Sequence, residues 1–231
     1  MKFLFLLLFL LQIIPLRSEE SLAFVLDVVG SHSIFREGIS REIKPKMFFH
    51  KEDEIQTGPK GHVDIQIDET IVLRISAKSK FTLSNFEKAN DHFFYSLHLS
   101  FGEAFIRVYK KILGNSECNF TTPTRVVAVR GTKFILRENS QSEKEASGVF
   151  VGEGEVEVED LKFDEKLKFT IQSGSQLSLS RNNYEMEKIN PKLISEMKFL
   201  DTLKVLKEKN IKLLLDQKKK NNELMKGNQE W

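Results

Sequence analysis

The side chains best suited to bond-making chemistry are few and scattered. There are five histidines, His32, His50, His62, His92 and His98, and one cysteine, Cys118. His92 and His98 share one parity of an extended run with Asp91 beside them. Six residues along a strand span about 20 Å, too far for both rings to reach one ion. His62 opens another strand on its polar side. Ser173-Gly174-Ser175 lacks the first glycine of a nucleophile elbow and reads as a turn. The chain has no glycine-rich phosphate loop and no H-E-x-x-H zinc helix. One cysteine excludes a disulfide framework, a zinc ribbon and a C-x-x-C redox pair, and leaves Cys118 as a small buried residue or a free thiol. Glu153, Glu155 and Glu157 alternate and read as a solvated strand face. The expectation is therefore a protein that is not an enzyme, with no catalytic residue, no cofactor and no metal site.

With 231 residues, the chain can bury most of its unfolded surface without disulfides or metal. A formal net charge of +2 excludes an overall electrostatic grip on nucleic acid. The chain divides into three parts. Residues 1–18 carry Lys2, then FLFLLLFLL, Ile13 and Ile14, and end at Arg17-Ser18. An apolar core of about a dozen residues is short for a spanning helix, which needs about 20. It reads as a secretory signal peptide cleaved after Ser18, with a retained anchor as the alternative. No cysteine follows it, so no lipid is expected there, and the protein is expected to be periplasmic or secreted.

Residues 19–185 show the period of two that strands require. Val63, Ile65 and Ile67 alternate with Asp64 and Gln66. After Asp68-Glu69-Thr70, the alternation resumes at Ile71, Leu73 and Ile75, which predicts a hairpin with one solvated face. Phe93, Tyr95, Leu97, Leu99 and Phe101 share one parity. Val126 to Val129 form a continuous apolar run, which predicts a strand covered on both faces. FGEAFIRV (101–108) and VGEGEVEV (151–158) echo one another and predict one hairpin unit used twice. Short strands separated by glycine-rich turns argue a mainly β fold of antiparallel hairpins, either a sandwich or solenoid-like.

Residues 186–231 form a tail of different character. Asn190-Pro191 is a helix-start pair, and neither Pro nor Gly follows until Gly227, which predicts one helix over 192–226. That stretch holds ten lysines against five acids, a charge of +5, while residues 19–191 carry −4. The near-neutral total hides an acidic domain and a basic helix that attract each other. Phe199, Leu203, Leu206 and Leu213 lie on one helical face, with Leu193, Met197, Leu200, Ile211 and Leu214 beside it. This tail can pack on the β-domain, dock a partner or second copy, or make peripheral contact with an anionic membrane surface through its lysines.

An ordered series of short motifs adds a resemblance. Asp53-Glu54-Ile55-Gln56-Thr57-Gly58 precedes the VDIQI strand. Thr122-Pro123 leads to Ala128-Val129-Arg130-Gly131-Thr132, and Gly152-Glu153-Gly154 follows. In this order the chain resembles the FecR-domain family of exported bacterial proteins. The resemblance implies an all-β domain and structural roles for Thr57, Gly58, Thr122, Pro123, Arg130, Gly131, Thr132, Gly152 and Gly154. The family's best-known members regulate sigma factors from a cytoplasmic segment. Only Met1 and Lys2 precede the apolar segment here, so that activity is not expected to carry over. The function expected is a non-enzymatic envelope module that binds a protein or cell-wall glycan partner. The alternative is a periplasmic component of iron or siderophore signalling that works through a separate membrane protein.

Overall fold

The structure, a computed structural model, describes residues 19–20, 23–89, 92–109, 116–139, 147–162, 167–180 and 183–227. The expected signal segment, residues 1–18, lies outside them. Among the described residues no helix is long and apolar enough to cross a membrane.

The strands form two sheets. Sheet A runs in spatial order β4 (Ile39–Glu42), β3 (His32–Arg36), β6 (Glu54–Thr57), β9 (Lys80–Ala89), the first half of β10 (His92–Val108), β11 (Glu117–Thr121), β12 (Arg125–Val129), β15 (Glu155–Asp160) and β16 (Lys168–Gln172). Sheet B runs β5 (Phe48–Phe49), β2 (Ala23–Val29), β7 (His62–Ile67), β8 (Ile71–Ser76), the second half of β10, β13 (Lys133–Glu138), β14 (Ser147–Glu153), β17 (Ser175–Ser180) and β18 (Asn183–Lys188). A two-residue β1 (Glu19–Glu20) pairs with the end of β9. Among the described residues only the β10–β11 pairing is parallel. Neither sheet closes on itself among the described residues.

Sandwich and solenoid describe two aspects of this one object. From β11 onward, successive hairpins fall alternately in sheet A, sheet B, sheet A and sheet B, so the chain advances as a solenoid does while the sheets pack as a sandwich. The inward side chains of both sheets make one core, including Ile65, Leu73, Phe81, Leu97, Phe120, Phe134 and Val158. Phe120 of sheet A meets Phe134 of sheet B edge to face at 5.3 Å. Cys118 is part of this core, and burial pushes its thiol far above the usual value, so it is an inert packing residue.

The predicted β7–β8 hairpin is present, and Asp68 at its turn has φ +47°. Aspartate tolerates that left-handed conformation better than most residues, and the Tyr95 hydroxyl holds it by donating to Asp68 Oδ2 at 2.7 Å. Two expectations for the strands fail. β12 is not covered on both faces: Val127 and Val129 are buried, while Val126 and Ala128 point to the open side of sheet A and are only half-buried. The 101–108 and 151–158 echo is not a duplicated hairpin. The first lies within β10, where that strand passes from sheet A to sheet B, and the second spans the β14–β15 corner.

β18 runs on to Lys188, three residues beyond the expected domain boundary, and the tail then begins as its cap signal predicts. Asn190 Oδ1 accepts from Lys192 N–H at 2.9 Å, with Pro191 in the first turn. The single helix does not form. A short α1 (Pro191–Glu196) tightens into a 3₁₀ turn (Met197–Asp201), an irregular link follows, and α2 (Glu208–Gly227) resumes. The cause is the surface beneath. Met197 and Leu200 are buried against Phe105, Ile135 and Phe150 of sheet B, and Ile211 against Phe24 and Phe48 at its far edge. Leu200 and Ile211, eleven residues apart, would share a face of a continuous helix, so the break belongs to the contact between them, where the Gln66 side chain holds the Leu206 peptide. The break also leaves Leu213 exposed, although the helical spacing groups it with Phe199 and Leu203.

The tail is thus a third layer on the outer face of sheet B. Truncating Leu200 to Ala removes a fully buried side chain at its centre and is expected to lower unfolding free energy by about 2–5 kcal/mol, measured by urea denaturation. An unchanged midpoint would show that the tail does not pack there.

Candidate functional site

The motif residues occupy the turns that fix where each strand starts. Thr57 is buried. Its hydroxyl donates to Ser76 C=O at 2.6 Å and accepts from Ser79 N–H at 2.7 Å, tying β6 to the β8–β9 turn. Gly58 N–H donates to His32 Nδ1 at 3.0 Å, so the other ring nitrogen of His32 carries the proton and donates to Val29 C=O at 2.6 Å. Thr122 closes the loop between β11 and β12: its Oγ1 accepts from Thr124 and Arg125 N–H groups, with Pro123 exposed at the tip. Gly131, Thr132 and Gly154 pack on one another. Gly154 has φ +82°, and a Cβ there would lie 2.8 Å from Gly131 C=O. A Cβ on Gly152 would lie 2.9 Å from Met197 Sδ, so this motif glycine makes room for the tail. Arg130 is exposed at the rim. The buried guanidinium is that of Arg125, five residues earlier, which lies 3.6 Å from Glu138 across the interior and opposite Asp160 in register. Thr57, Gly58, Thr122, Gly131, Thr132, Gly152 and Gly154 thus hold packed or hydrogen-bonded places at turns and corners, while Pro123 and Arg130 are exposed.

Two outer faces remain for function. That of sheet B lies under the tail and is unusually polar for a covered surface. Gln66, fully buried, holds the link with its side-chain amide: Oε1 accepts from Leu206 N–H at 2.9 Å and Nε2 donates to Leu206 C=O at 2.8 Å. Arg74 lies over the Phe199 ring at 3.8 Å. Asp201 of the tail pairs with Lys133, at 2.9 Å, and with Arg107. These last contacts reverse the expected polarity, since the acid belongs to the basic tail and the bases to the acidic domain. Lys207 with Glu69, at 3.6 Å, follows the expected sign. Net charge therefore does not describe how this surface is docked. The polar parity of β7, expected to be solvated, is buried because the tail covers it.

The outer face of sheet A carries no such layer among the described residues. Its registers align two cross-strand rows, Ser96–Asn119–Ala128–Glu157–Thr170 and Thr82–His98–Thr121–Val126–Glu159–Lys168. These side chains are half-buried to exposed. The expected solvated glutamate face on β15 is part of this surface. His98 Nδ1 lies 2.9 Å from Thr121 Oγ1. Burial pushes the His98 imidazole below its usual value, and Glu138 opposes the shift.

His98 and His92 stay apart, and Asp91 lies outside the described residues. Among the described residues one group does gather three metal-ligating atoms within 4.8 Å, namely Asp27, His62 and Asp64. Sequence reasoning missed it because Asp27 comes from another strand, through a pairing that alternation alone does not place.

Once assembled, these parts define a class: a two-sheet all-β domain covered on one outer face by a helical tail. Residues 53–157, from the turn before β6 into β15, match the family model described as FecR protein. The FecR-domain resemblance carried by Thr57-Gly58, Thr122-Pro123, Arg130-Gly131-Thr132 and Gly152/Gly154 is thereby shown. Two crystal structures from Parabacteroides distasonis ATCC 8503, each described as a "putative anti-sigma factor", are similar to the chain at 17% and 19% identity. Both have a TM-score of 0.49, and the similarity covers 62% of this chain and 62% of that one. The chain thus spans less than two thirds of their length. No curated protein matches it.

The lowered His98 value has a sign that can be checked. A histidine harder to protonate when folded contributes stability above its unfolded value, about 6.5, that is lost as pH falls below it. Wild type is expected to lose stability between pH 7 and 5 more steeply than His98→Asn, measured by urea denaturation at several pH values. Parallel curves would remove His98 from the account.

Proposed function

We propose that this chain is an exported, non-enzymatic FecR-domain module of a signalling system, and that it recognises a protein or cell-wall glycan partner through the outer face of sheet A. The observation that carries the reading is the division of the two outer faces. The tail occupies that of sheet B with buried apolar and hydrogen-bonded contacts, and that of sheet A presents ordered rows of polar and small side chains. Flat sheet faces of this kind suit recognition across many strands, and the family match favours a regulatory role over catalysis. Export rests on the character of residues 1–18. The exposed Lys219 and Lys220 of α2 add a peripheral contact to an anionic membrane surface.

The same family match supports a narrower second reading, in which the module serves iron or siderophore uptake through a separate membrane protein. One experiment addresses both. Asn119→Arg and Ala128→Arg place bulk and charge at the centre of the face without touching the core. Capture of a specific partner from the envelope fraction is expected to fall by about tenfold or more, with the unfolding midpoint unchanged. Undiminished capture would overturn the sheet A assignment. Iron-responsive transcription unchanged on deleting the gene would remove the second reading.

A further inference from the structure

The register of β2 against β7 contains an irregularity with a chemical consequence. Val25 pairs with Ile65, and regular alternation would place Leu26 opposite Asp64 and Asp27 opposite Val63. A bulge between Val25 and Asp27 inserts one residue, so Asp27 stands opposite Asp64 and Val28 opposite Val63. Both Leu26 and Asp27 are thereby turned to the outer face of sheet B. Leu26 packs with Phe24 and Ile211 under the tail, and Val28 returns to the inner core. Bulges re-aim side chains in this way beside functional sites. The side chain re-aimed here is a carboxylate, delivered to a second carboxylate and an imidazole.

His62 stands two residues before Asp64 on β7 and so projects from the same face. Its Nε2 lies 3.7 Å from Asp64 Oδ2, and the ligand atoms of Asp27, His62 and Asp64 all lie within 4.8 Å of one another. Asp64 is almost wholly buried, His62 is partly exposed and Asp27 is exposed, so the group is fixed at its base and reachable from solvent. Arg74 also holds the Asp64 carboxylate, with Nε donating to Oδ1 and Nη2 to Oδ2, each at 2.7 Å. That is the arrangement by which an outer partner orients a ligating carboxylate. Two aspartates against one arginine leave a local negative charge. His32, the nearest other imidazole along this edge, has both ring nitrogens occupied and is not a further ligand.

We propose that Asp27, His62 and Asp64 form a binding site for one divalent transition-metal ion of the zinc class. One imidazole and two carboxylates, with a position left for water, suit a four-coordinate zinc-like ion. Calcium, which takes six to eight oxygens, has too few here, and magnesium does not favour the imidazole. The site also touches the tail through its orienting partner, because Arg74 bridges Asp64 and the Phe199 ring. Metal binding there stabilises the docked tail through a group already in contact with it.

The test uses the metal-free full chain. Titration with Zn²⁺ followed by calorimetry is expected to show one saturable equivalent and a rise in melting temperature. Co²⁺ is expected to give the visible bands of a four- or five-coordinate ion, and millimolar Ca²⁺ to leave both signals unchanged. Asp64→Asn also breaks the pair with Arg74, so the deciding variants are Asp27→Asn and His62→Ala, which leave that pair in place. Each is expected to weaken Zn²⁺ binding at least tenfold while keeping the metal-free melting temperature. Absence of a one-equivalent isotherm in wild type, or binding retained in both variants, would overturn the proposal.

Discussion

One side-chain amide determines how the outer layer of this molecule is attached. Gln66 lies on β7, an interior strand of sheet B, is fully buried, and meets the Leu206 peptide with its own amide in a two-hydrogen-bond pairing. Each such bond contributes about 1 kcal/mol net, but leaving the buried amide unpaired costs about 1–3 kcal/mol. The second figure matters more. Nε2 also donates to Asp68 C=O, so it is Oε1 that needs a donor from the covering layer, and an unwound stretch of backbone offers a free N–H where a helix interior, with its N–H groups already used, does not. The break between the 3₁₀ turn and α2 follows from this need. Fixing Leu206 sets the position of both flanking pieces: Met197 and Leu200 enter the Phe105–Ile135–Phe150 cluster on one side, and Ile211 reaches Phe24 and Phe48 on the other.

The covered face is charged as well as apolar, and each charge is answered locally. Asp64 is held by Arg74, Glu103 by Arg137, and Lys133 by Glu153 and Asp201. Breaking a buried pair of this kind is far more costly than its net contribution to stability. The pairs therefore specify where the tail sits more than they hold it down. The motif glycine Gly152 has the same logic in steric form, since it clears the space that Met197 fills. With sheet B so occupied, the outer face of sheet A is the uncovered one among the described residues, and Thr57, Gly58, Thr122, Gly131 and Thr132 tie the turns that join its strands to the rest of the fold.

Much of this was legible in the sequence. The strands around Val63–Ile75 and Phe93–Phe101, the Asn190-Pro191 helix start and the FecR-domain motif order all rest on local signals, namely period two, capping chemistry and turn residues. What was not legible depends on distant parts of the chain. The alternation of Asp64 and Gln66 reads as solvated because period two reports which residues share a face and not what covers it. The tail helix reads as continuous because nothing in residues 202–207 forbids a helix; Gln66, about 140 positions earlier, decides the matter. Asp27 and His62 meet only through the bulge at Asp27, which no residue type announces. Composition separates a basic tail from an acidic domain, yet Asp201 docks on Lys133 and Arg107, because ion pairs are set by single groups at contact distance and not by totals.

The central claim is that Gln66 holds the tail closed over sheet B, and the Leu206 amide reports on it directly. That N–H lies in an irregular segment outside any helix or strand ladder and donates to the Gln66 side chain. Amide hydrogen exchange resolved at Leu206 is the measurement. The account predicts slow exchange in the wild-type chain, and rapid exchange in Gln66→Ala with the sheet core still protected. Free exchange of Leu206 in the wild type, or protection that survives the substitution, would contradict it.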